Sequence, residues 1–279
     1  MLKLLHSEVW AFDAEWVPDV DTGRRVYGLP AAMSDASVRA HMWRRGGATL
    51  DDPQPYLKTA LCRVVCVATM IRQRRPDGQT QLRLHSLPGP DEPEMSEREL
   101  LSRFLNALGE RKPQVVGYNS QNADFPILLQ RALVQKVTAP DFCRRPNKPW
   151  EGVDYFARGS DFHVDLREAL GSWGKGTPSL HEIATACGIP GKLDVDGAGV
   201  VDLWLAGDLR RIVQYNECDA LTTYLLWLRV VRLTGRLSPD EVDAEESQLE
   251  ELLETEGVQP GHEHLLRFLE SWRRLRGDS

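Results

Sequence analysis

The stretch EVWAFDAEW, residues 8–16, decides how this chain folds. It is rich in strand formers, and residues two apart on an extended strand share a face. Asp13 and Glu15 therefore present two carboxylates side by side, while Phe12 and Ala14 point to the other face. Two anions this close repel each other unless a cation bridges them. Taken alone, the pair also fits the solvated face of an edge strand.

Two further carboxylates lie among apolar residues later in the chain. Asp124 is part of NSQNADFPIL (119–128), at the start of a predicted helix where an aspartate is often an N-cap. Asp219 is part of YNECDALTTYLL (215–226), at a helix position where a hydrophobic residue is expected. Lys and Arg are absent from these segments, and an unpaired carboxylate in apolar surroundings is costly. The sequence therefore predicts a bound divalent metal at Asp13, Glu15, Asp124 and Asp219.

Strand formers recur in four further segments, bounded by turn-forming residues. They predict strands at 61–72, 81–87, 114–119 and 163–166, with the PDG turn at 76–78 joining the first two. A polar segment of more than 40 residues separates the first strand from the second, and a short helix is predicted there around 34–45. An insertion of this length is expected to be functional.

Apolar residues at helical spacing predict the remaining elements. Helices are expected at 96–109, from Asp124 onwards, at 179–187, around 198–206, and over 208–232. An acidic stretch (240–256) and a more basic helix (263–276) follow. We therefore divide the chain into a domain at 1–236, with an insertion at 17–60, and a C-terminal helical appendage at 237–279 that docks on it.

Composition limits the classes of protein that remain. The chain has 279 residues, is 42% hydrophobic, and has a formal net charge of −7, so contact with a polyanion is expected to be local. It shows neither a signal segment nor a stretch of roughly 18 apolar residues, which predicts a cytoplasmic protein without membrane contact. The odd number of cysteines (62, 66, 143, 187 and 218) argues against a disulfide framework and predicts buried, inert thiols.

These segments together resemble a known family over roughly residues 7–230. FDAEW, NSQNADFPIL and YNECDALTTYLL match the three motifs of the DEDD exonucleases, and Tyr215-x-x-x-Asp219 is the signature of the DEDDy branch. The DEDDh branch would have His at position 214, where this chain has Gln. GYNSQNADFPIL, HVDL and SLHEIATACGIPGK look like the stand-alone predicted 3′-5′ exonucleases related to the proofreading domain of family-B DNA polymerases. A polymerase domain is not expected, because too little of this sequence remains after the motifs.

The resemblance implies an α/β, RNase H-like fold: a mixed five-stranded sheet, three strands antiparallel and two parallel, flanked by helices. It also implies a two-metal phosphodiesterase, in which Asp13, Glu15 and Asp219 hold one Mg²⁺ or Mn²⁺. Asp13 and Asp124 would serve the second ion. Two such ions, about 3.5 to 4 Å apart, suit an in-line displacement at phosphorus. Tyr215 would orient the attacking water, because its ordinary pKa near 10 makes it a poor base.

Other residues are candidates for binding the nucleic acid. Trp16 stands where proofreading enzymes have Thr, although Werner-type exonucleases also have Trp; it either lies beside the terminal base or packs in the core. Asn119 and Asn122 either position the terminal nucleotide or cap the helix. RRPNKPW (144–150) combines cations with Trp150, as single-strand contacts do. The remaining candidates are Arg144, Arg145, Lys148, Lys192 and Asp165, each of which also fits a surface or structural role.

The sequence and the resemblance together predict an exonuclease that shortens nucleic acids from the 3′ end, with single-stranded DNA favoured over RNA. RNA is the alternative within the same class, because the sequence does not show how the 2′-OH is read. An endonuclease on the same fold agrees less well with the Tyr215 and Asp219 pair. A binding module that has lost its chemistry is the alternative from another class, although all four carboxylates are present.

Overall fold

A five-stranded mixed sheet forms the centre of the protein. The computed structural model describes residues 2–89, 95–148, 151–157, 159–171, 176–191 and 199–277. The strands are β1 (Glu8–Pro18), β2 (Cys62–Arg74), β3 (Thr80–Leu87), β4 (Gln114–Gly117) and β5 (His163–Asp165). Their order is β3-β2-β1-β4-β5, with β1, β2 and β3 antiparallel and with β4 parallel to both β1 and β5. The predicted arrangement of three antiparallel and two parallel strands is confirmed.

Helices pack on both faces of this sheet. Within the described residues they are α1 (Val20–Tyr27), α2 (Asp35–Gly46), α3 (Glu97–Arg111), α4 (Asp124–Val134), α5 (Pro140–Cys143), α6 (Leu166–Leu170), α7 (Leu180–Ala186), α8 (Gly199–Leu205), α9 (Leu209–Leu233), α10 (Pro239–Gly257) and α11 (Glu263–Arg276). The helices predicted from periodicity all form. None of the described helices is long and apolar enough to cross a lipid bilayer.

β1 is the central strand, and its alternation separates two cores. Trp10, Phe12 and Ala14 pack with the apolar residues of α3 and α4. Val9 and Ala11 lie on the other face, in a core that includes the C-terminal half of α9. The register between β1 and β2 shifts after Glu15, where β2 carries an extra residue, and such a bulge often re-aims a side chain near a functional site. Asp13 and Glu15 share the face of the sheet that α9 covers.

The insertion between β1 and β2 forms a helical pair with a small core of its own. Val38, Met42 and Leu61 are buried there. The second helix, α2, was predicted, but α1 was not. Its sequence VDTGRRVY contains a glycine and only three apolar residues, Val20, Val26 and Tyr27, which are too few for periodicity to reveal the helix. The glycine, Gly23, allows the close approach of α2, because a Cβ atom there would lie 2.4 Å from Sδ of Met42.

The C-terminal helices α10 and α11 belong to the main core. Leu249, Leu253, Phe268 and Trp272 are buried in the same cluster as the apolar residues of α9. The predicted docking of the last helix agrees with this packing, whereas the boundary at residue 236 stays a prediction.

Two of the five cysteines differ from the predicted buried state. Cys62, Cys66 and Cys218 are buried, but Cys143 is exposed and Cys187 is partly exposed. Cys143 ends α5, a four-residue helix without a visible sequence pattern, and Phe142 makes the buried contact there instead. The prediction of a buried thiol at Cys143 is therefore wrong.

Candidate active site

Three carboxylates from two elements meet over the central strand. Asp13 and Glu15 project from β1, and Asp219 projects from α9, the helix that covers this face. One oxygen from each carboxylate can be chosen so that all three lie within 4.8 Å of one another. The side chains are partly exposed, so ions and water can reach them. These three residues form the acid cluster predicted from the sequence.

Asp124 is the fourth acid of the group. It begins α4, which packs on the other face of β1, with Phe12 and Ala14. It is the first residue of α4, but the N-cap is Ala123, so the N-cap interpretation of Asp124 is wrong. Its carboxylate instead accepts a hydrogen bond from the backbone N–H of Ala14, at 3.2 Å. This bond ties the start of α4 to the strand that carries Asp13 and Glu15.

The four carboxylates repel one another strongly. Burial raises the pKa of Asp13 well above its ordinary value, and the charges of Asp124, Glu15 and Asp219 raise it further. Burial also raises the pKa of Asp124 to about 7, against the hydrogen bonds that its carboxylate accepts. The largest charge effects on both groups thus come from other acids. Hard divalent cations prefer oxygen ligands, so this donor set fits Mg²⁺ or Mn²⁺.

Tyr215 lies one helical turn before Asp219, and its hydroxyl donates a hydrogen bond to that carboxylate. Burial raises the pKa of Tyr215 above its ordinary value, and the charges of Asp219, Glu15 and Asp13 add to the effect. The phenol therefore stays protonated at neutral pH and acts as a hydrogen-bond donor and acceptor.

Asn216 is a site residue that the sequence analysis missed. Its side-chain amide donates a hydrogen bond of 2.6 Å to the Asp13 carboxylate, and the residue is fully buried. Its Oδ1 atom has no hydrogen-bond partner among the described residues. The contact fixes one oxygen of Asp13. Its position three residues before Asp219, on the same helix face, was the signal that could have revealed it.

Asp165 has a structural role close to the site. It ends β5 and N-caps α6, accepting hydrogen bonds from the backbone N–H groups of Arg167 and Glu168. Its two oxygens also accept from the backbone N–H groups of Asn119 and Gln121, each at 2.9 Å. Asp165 therefore holds the loop that leads to Asp124, and its charge contributes to the raised pKa of Asp124. Both interpretations of this residue agree with the structure.

The two asparagines lie in that same loop, and neither side chain caps α4. Asn119 has a left-handed backbone, with φ of 65°, and its Oδ1 accepts from Arg167 at 2.8 Å. Asn122 donates to the same oxygen at 3.3 Å. The capping interpretation is wrong for both residues, and their contact with a nucleotide stays a prediction.

The candidate substrate residues outside this loop that the structure describes make contacts within the protein, and their binding of a nucleic acid stays a prediction. Trp16 is partly buried against the apolar core of α3 and α4, as its packing interpretation predicts. Arg144 pairs with Asp141 at 2.9 Å, Lys148 pairs with Glu151 at 3.2 Å, and Arg145 forms a forked bond with Asp154. These three cations are paired with acids on the chain. Trp150 and Lys192 lie outside the described residues.

His163 on β5 provides a pH-dependent contribution to stability. Burial lowers its pKa to about 4, although the Asp165 charge and a backbone hydrogen bond to Tyr155 raise it. The unfolded chain binds a proton near pH 6.5, so the folded state binds fewer protons between about pH 6.5 and 4. Stability should therefore fall as pH falls through this window, by up to about 3 kcal/mol from this residue.

His163→Gln should flatten that dependence. The free energy of unfolding, measured with denaturant at pH 7 and pH 5, tests this. The raised pKa of Asp124 contributes with the opposite sign, but it does so in both proteins and therefore cancels when the variant is compared with the parent. Glutamine can still accept from Ser120, whose hydroxyl lies 2.9 Å from Nε2. An equal pH dependence in the two proteins would show that His163 does not carry the effect.

A mixed five-stranded sheet with four acids around its central strand is the arrangement expected for the 3′-5′ exonucleases that the sequence motifs resemble. Residues 54–272, well over half of the chain, match a family model described as a predicted 3′-5′ exonuclease related to the exonuclease domain of PolB. The chain belongs to this family. The match begins after β1, so it includes Asp124, Tyr215 and Asp219 but not Asp13 or Glu15. It extends through most of α11.

Comparison with solved structures finds the family B DNA polymerase from the hyperthermophilic archaeon Pyrobaculum calidifontis, at 16% identity and a TM-score of 0.46. The similarity covers 98% of this chain and 29% of that polymerase chain. No curated protein matches the sequence significantly.

Proposed function

We propose that this protein is a metal-dependent exonuclease that hydrolyses the 3′-terminal phosphodiester bond of single-stranded DNA and releases nucleoside monophosphates. The observation that carries the proposal is the cluster of Asp13, Glu15 and Asp219 within 4.8 Å, with Asp124 beside it. Membership of the exonuclease family supports the same reaction class. A cytoplasmic location stays a prediction of the sequence.

The residues present fit two divalent ions. Asp13, Glu15 and Asp219 would hold one ion, and Asp13 with Asp124 would hold the second. When bound, such ions stabilise the attacking and leaving oxygens of an in-line displacement at phosphorus. Asn216 fixes the orientation of Asp13 through its hydrogen bond. The raised pKa values of Asp13 and Asp124 support the need for cations, because the free carboxylates repel one another.

Tyr215 positions the attacking water in this proposal. Its hydroxyl is anchored by the Asp219 carboxylate, and its raised pKa excludes it as a base near neutral pH. The oxygen can accept from, and so align, a water directed at the phosphorus.

Tyr215→Phe should slow turnover by roughly ten- to a hundredfold, less than the 10²–10⁴ typical of a proton-transfer group. Mn²⁺ affinity should stay nearly unchanged, because all four carboxylates remain. Steady-state kinetics and a Mn²⁺ titration by calorimetry measure the two quantities. Tyr56→Phe, an exposed tyrosine, serves as the matched control. Full turnover in the Tyr215 variant would remove this residue from the mechanism.

The function itself is tested with a 5′-labelled single-stranded DNA and an RNA of the same sequence. Each is incubated with Mg²⁺, Mn²⁺ or EDTA and followed over time. A ladder that shortens from the 3′ end, requires metal and forms faster on DNA is the expected result. Faster shortening of the RNA would show that RNA, and not DNA, is the preferred substrate. Internal cuts would indicate an endonuclease. Binding without cleavage in either metal would favour the binding module.

A further inference from the structure

One arginine on the face of the sheet that carries the acid cluster forms no ion pair with any acid of the described residues. Arg63 lies near the start of β2, opposite Val17 of β1. Val17 follows Glu15 by two residues on the same face, so the backbone of Arg63 lies about 7 Å along the strand direction from that of Glu15. Val17, Val65 and Cys66 pack there against Ile212 and Tyr215 of α9. The arginine is therefore at one end of the surface that carries the site.

An aromatic ring holds this guanidinium in place. The centre of the Arg63 guanidinium lies 5.4 Å from the centroid of the Trp204 ring, which α8 supplies. Its Nε atom is enclosed without a hydrogen-bond partner, and no ion pair to Arg63 occurs within the described part of the chain. Buried Arg72 and Arg131, by comparison, form forked bonds with Glu245 and Glu97. Arg63 differs, because it forms no such bond with an acid of the described residues.

An arginine of this kind suits a phosphate. The planar guanidinium offers donors in a fork that matches two phosphate oxygens, and stacking on an aromatic face fixes its orientation. Arg63 and Trp204 are both partly exposed, so a ligand can reach them. A protein with a net charge of −7 also requires local positive charge where it meets a polyanion.

We propose that Arg63, held by Trp204, binds the backbone phosphate next to the scissile phosphate on its 5′ side. This proposal rests on the proposed function. A strand that ends in a free 3′-OH has no phosphate beyond its terminal nucleotide, so every other phosphate lies on the 5′ side of the cleaved bond. The short step along the sheet from Glu15 to Val17 favours the neighbouring phosphate.

The test compares two substrates that differ by this phosphate alone. Dithymidine monophosphate contains only the scissile phosphate, and its 5′-phosphorylated form adds the next one. The parent protein should hydrolyse the phosphorylated form with the higher kcat/KM, by roughly tenfold for one charged contact. Arg63→Met should lose this preference, and Trp204→Leu should reduce it. Arg63→Lys, which keeps the charge without the fork, should be intermediate.

A binding measurement gives a second readout. In an Asp13→Asn background, Arg63→Met should weaken binding of a fluorescein-labelled thymidine oligonucleotide by roughly tenfold. The slope of the logarithm of the binding constant against the logarithm of the salt concentration should become less steep by roughly 0.7, the value for one phosphate contact on a single strand. Arg83→Met is the matched control, because Arg83 is exposed on the edge strand β3 and its register with Ile71 and Trp10 places it on the face of the sheet away from the carboxylates.

The outcomes separate this proposal from the proposed function. Equal preference and equal binding in the parent and Arg63→Met proteins, with both active, would overturn the phosphate site and leave the exonuclease standing. If the dinucleotides are too short to be hydrolysed, the binding measurement decides. A parent protein that neither binds nor cleaves oligonucleotides would overturn both proposals.

Discussion

Asp13→Asn should reduce exonuclease turnover by about a thousandfold or more, equivalent to about 4 kcal/mol of transition-state stabilisation. Asp13 is the acid shared by both proposed metal positions, and the Asn216 amide fixes one of its oxygens. The asparagine that replaces it can still accept that hydrogen bond, so the local structure is preserved. What is lost is one negative charge and one strong metal ligand.

The same substitution should stabilise the metal-free protein. Burial and the charges of Asp124, Glu15 and Asp219 raise the pKa of Asp13, so its ionised form is disfavoured in the fold. A folded pKa above the unfolded value means that stability is lost as pH rises through the folded pKa. At pH 7.5 in EDTA, the variant should therefore have the higher Tm. Mn²⁺ should raise the Tm of the parent protein by more than that of the variant.

Asp51→Asn is the matched control, because Asp51 is exposed in the insertion. It should change neither turnover nor the effect of Mn²⁺ on Tm. An inactive Asp13→Asn protein with a lowered Tm in EDTA would indicate damage to the fold and would count against the repulsion argument. Unchanged turnover would remove Asp13 from catalysis.

The acid cluster could be predicted because its residues break local rules. Asp13 and Glu15 place charge on a strand that is otherwise apolar, and Asp219 interrupts an apolar helix stripe. Each is costly to the fold by itself, which is why a cation was expected. Their meeting in space required the family resemblance, since periodicity alone does not determine which helix covers which face of a sheet.

Contacts between distant segments could not be predicted in this way. Asn216 obeys the rules for a polar helix residue, and only the position of β1 shows that it donates to Asp13. Arg145 was a candidate for binding nucleic acid, yet Asp154, nine residues later, forms a forked bond with it. A charged residue in a loop carries no local sign of its partner. The sequence accordingly indicates a group of acids that break local rules better than it indicates which charged residues pair with one another.

The second large effect is expected at Glu245, which ties α10 to the sheet. Arg72 of β2 is fully buried, and its guanidinium forms a forked bond with the Glu245 carboxylate, with an Nε to Oε2 distance of 2.8 Å. The hydroxyls of Tyr224 and Thr80 donate to the same carboxylate, at 2.9 and 3.2 Å. Removing the carboxylate's charge leaves a buried cation without its counter-ion. Glu245→Gln should therefore cost about 3–5 kcal/mol of unfolding free energy.

Asp243 supplies the control on the same helix. It pairs with Arg232 at 3.4 Å, but both side chains are well exposed, so Asp243→Asn should cost less than about 1 kcal/mol. Denaturant unfolding measures both variants. A similar small cost at Glu245 would mean that water or rearrangement relieves the buried arginine. Replacing both Arg72 and Glu245 by methionine should recover much of the loss, because no unpaired charge then remains.

This ion pair also bears on the predicted boundary at residue 236. A chain that ends there would expose Arg72 without its partner and would uncover the face of α9 that Leu249, Leu253, Phe268 and Trp272 cover. Burying an apolar side chain of this size contributes about 1.5–3 kcal/mol. Losing four such contributions is comparable with the whole free energy of unfolding of a typical domain, about 5–15 kcal/mol. We expect the truncated protein to lack a cooperative thermal transition. A folded, active fragment at 1–236 would show that the C-terminal helices are separable after all.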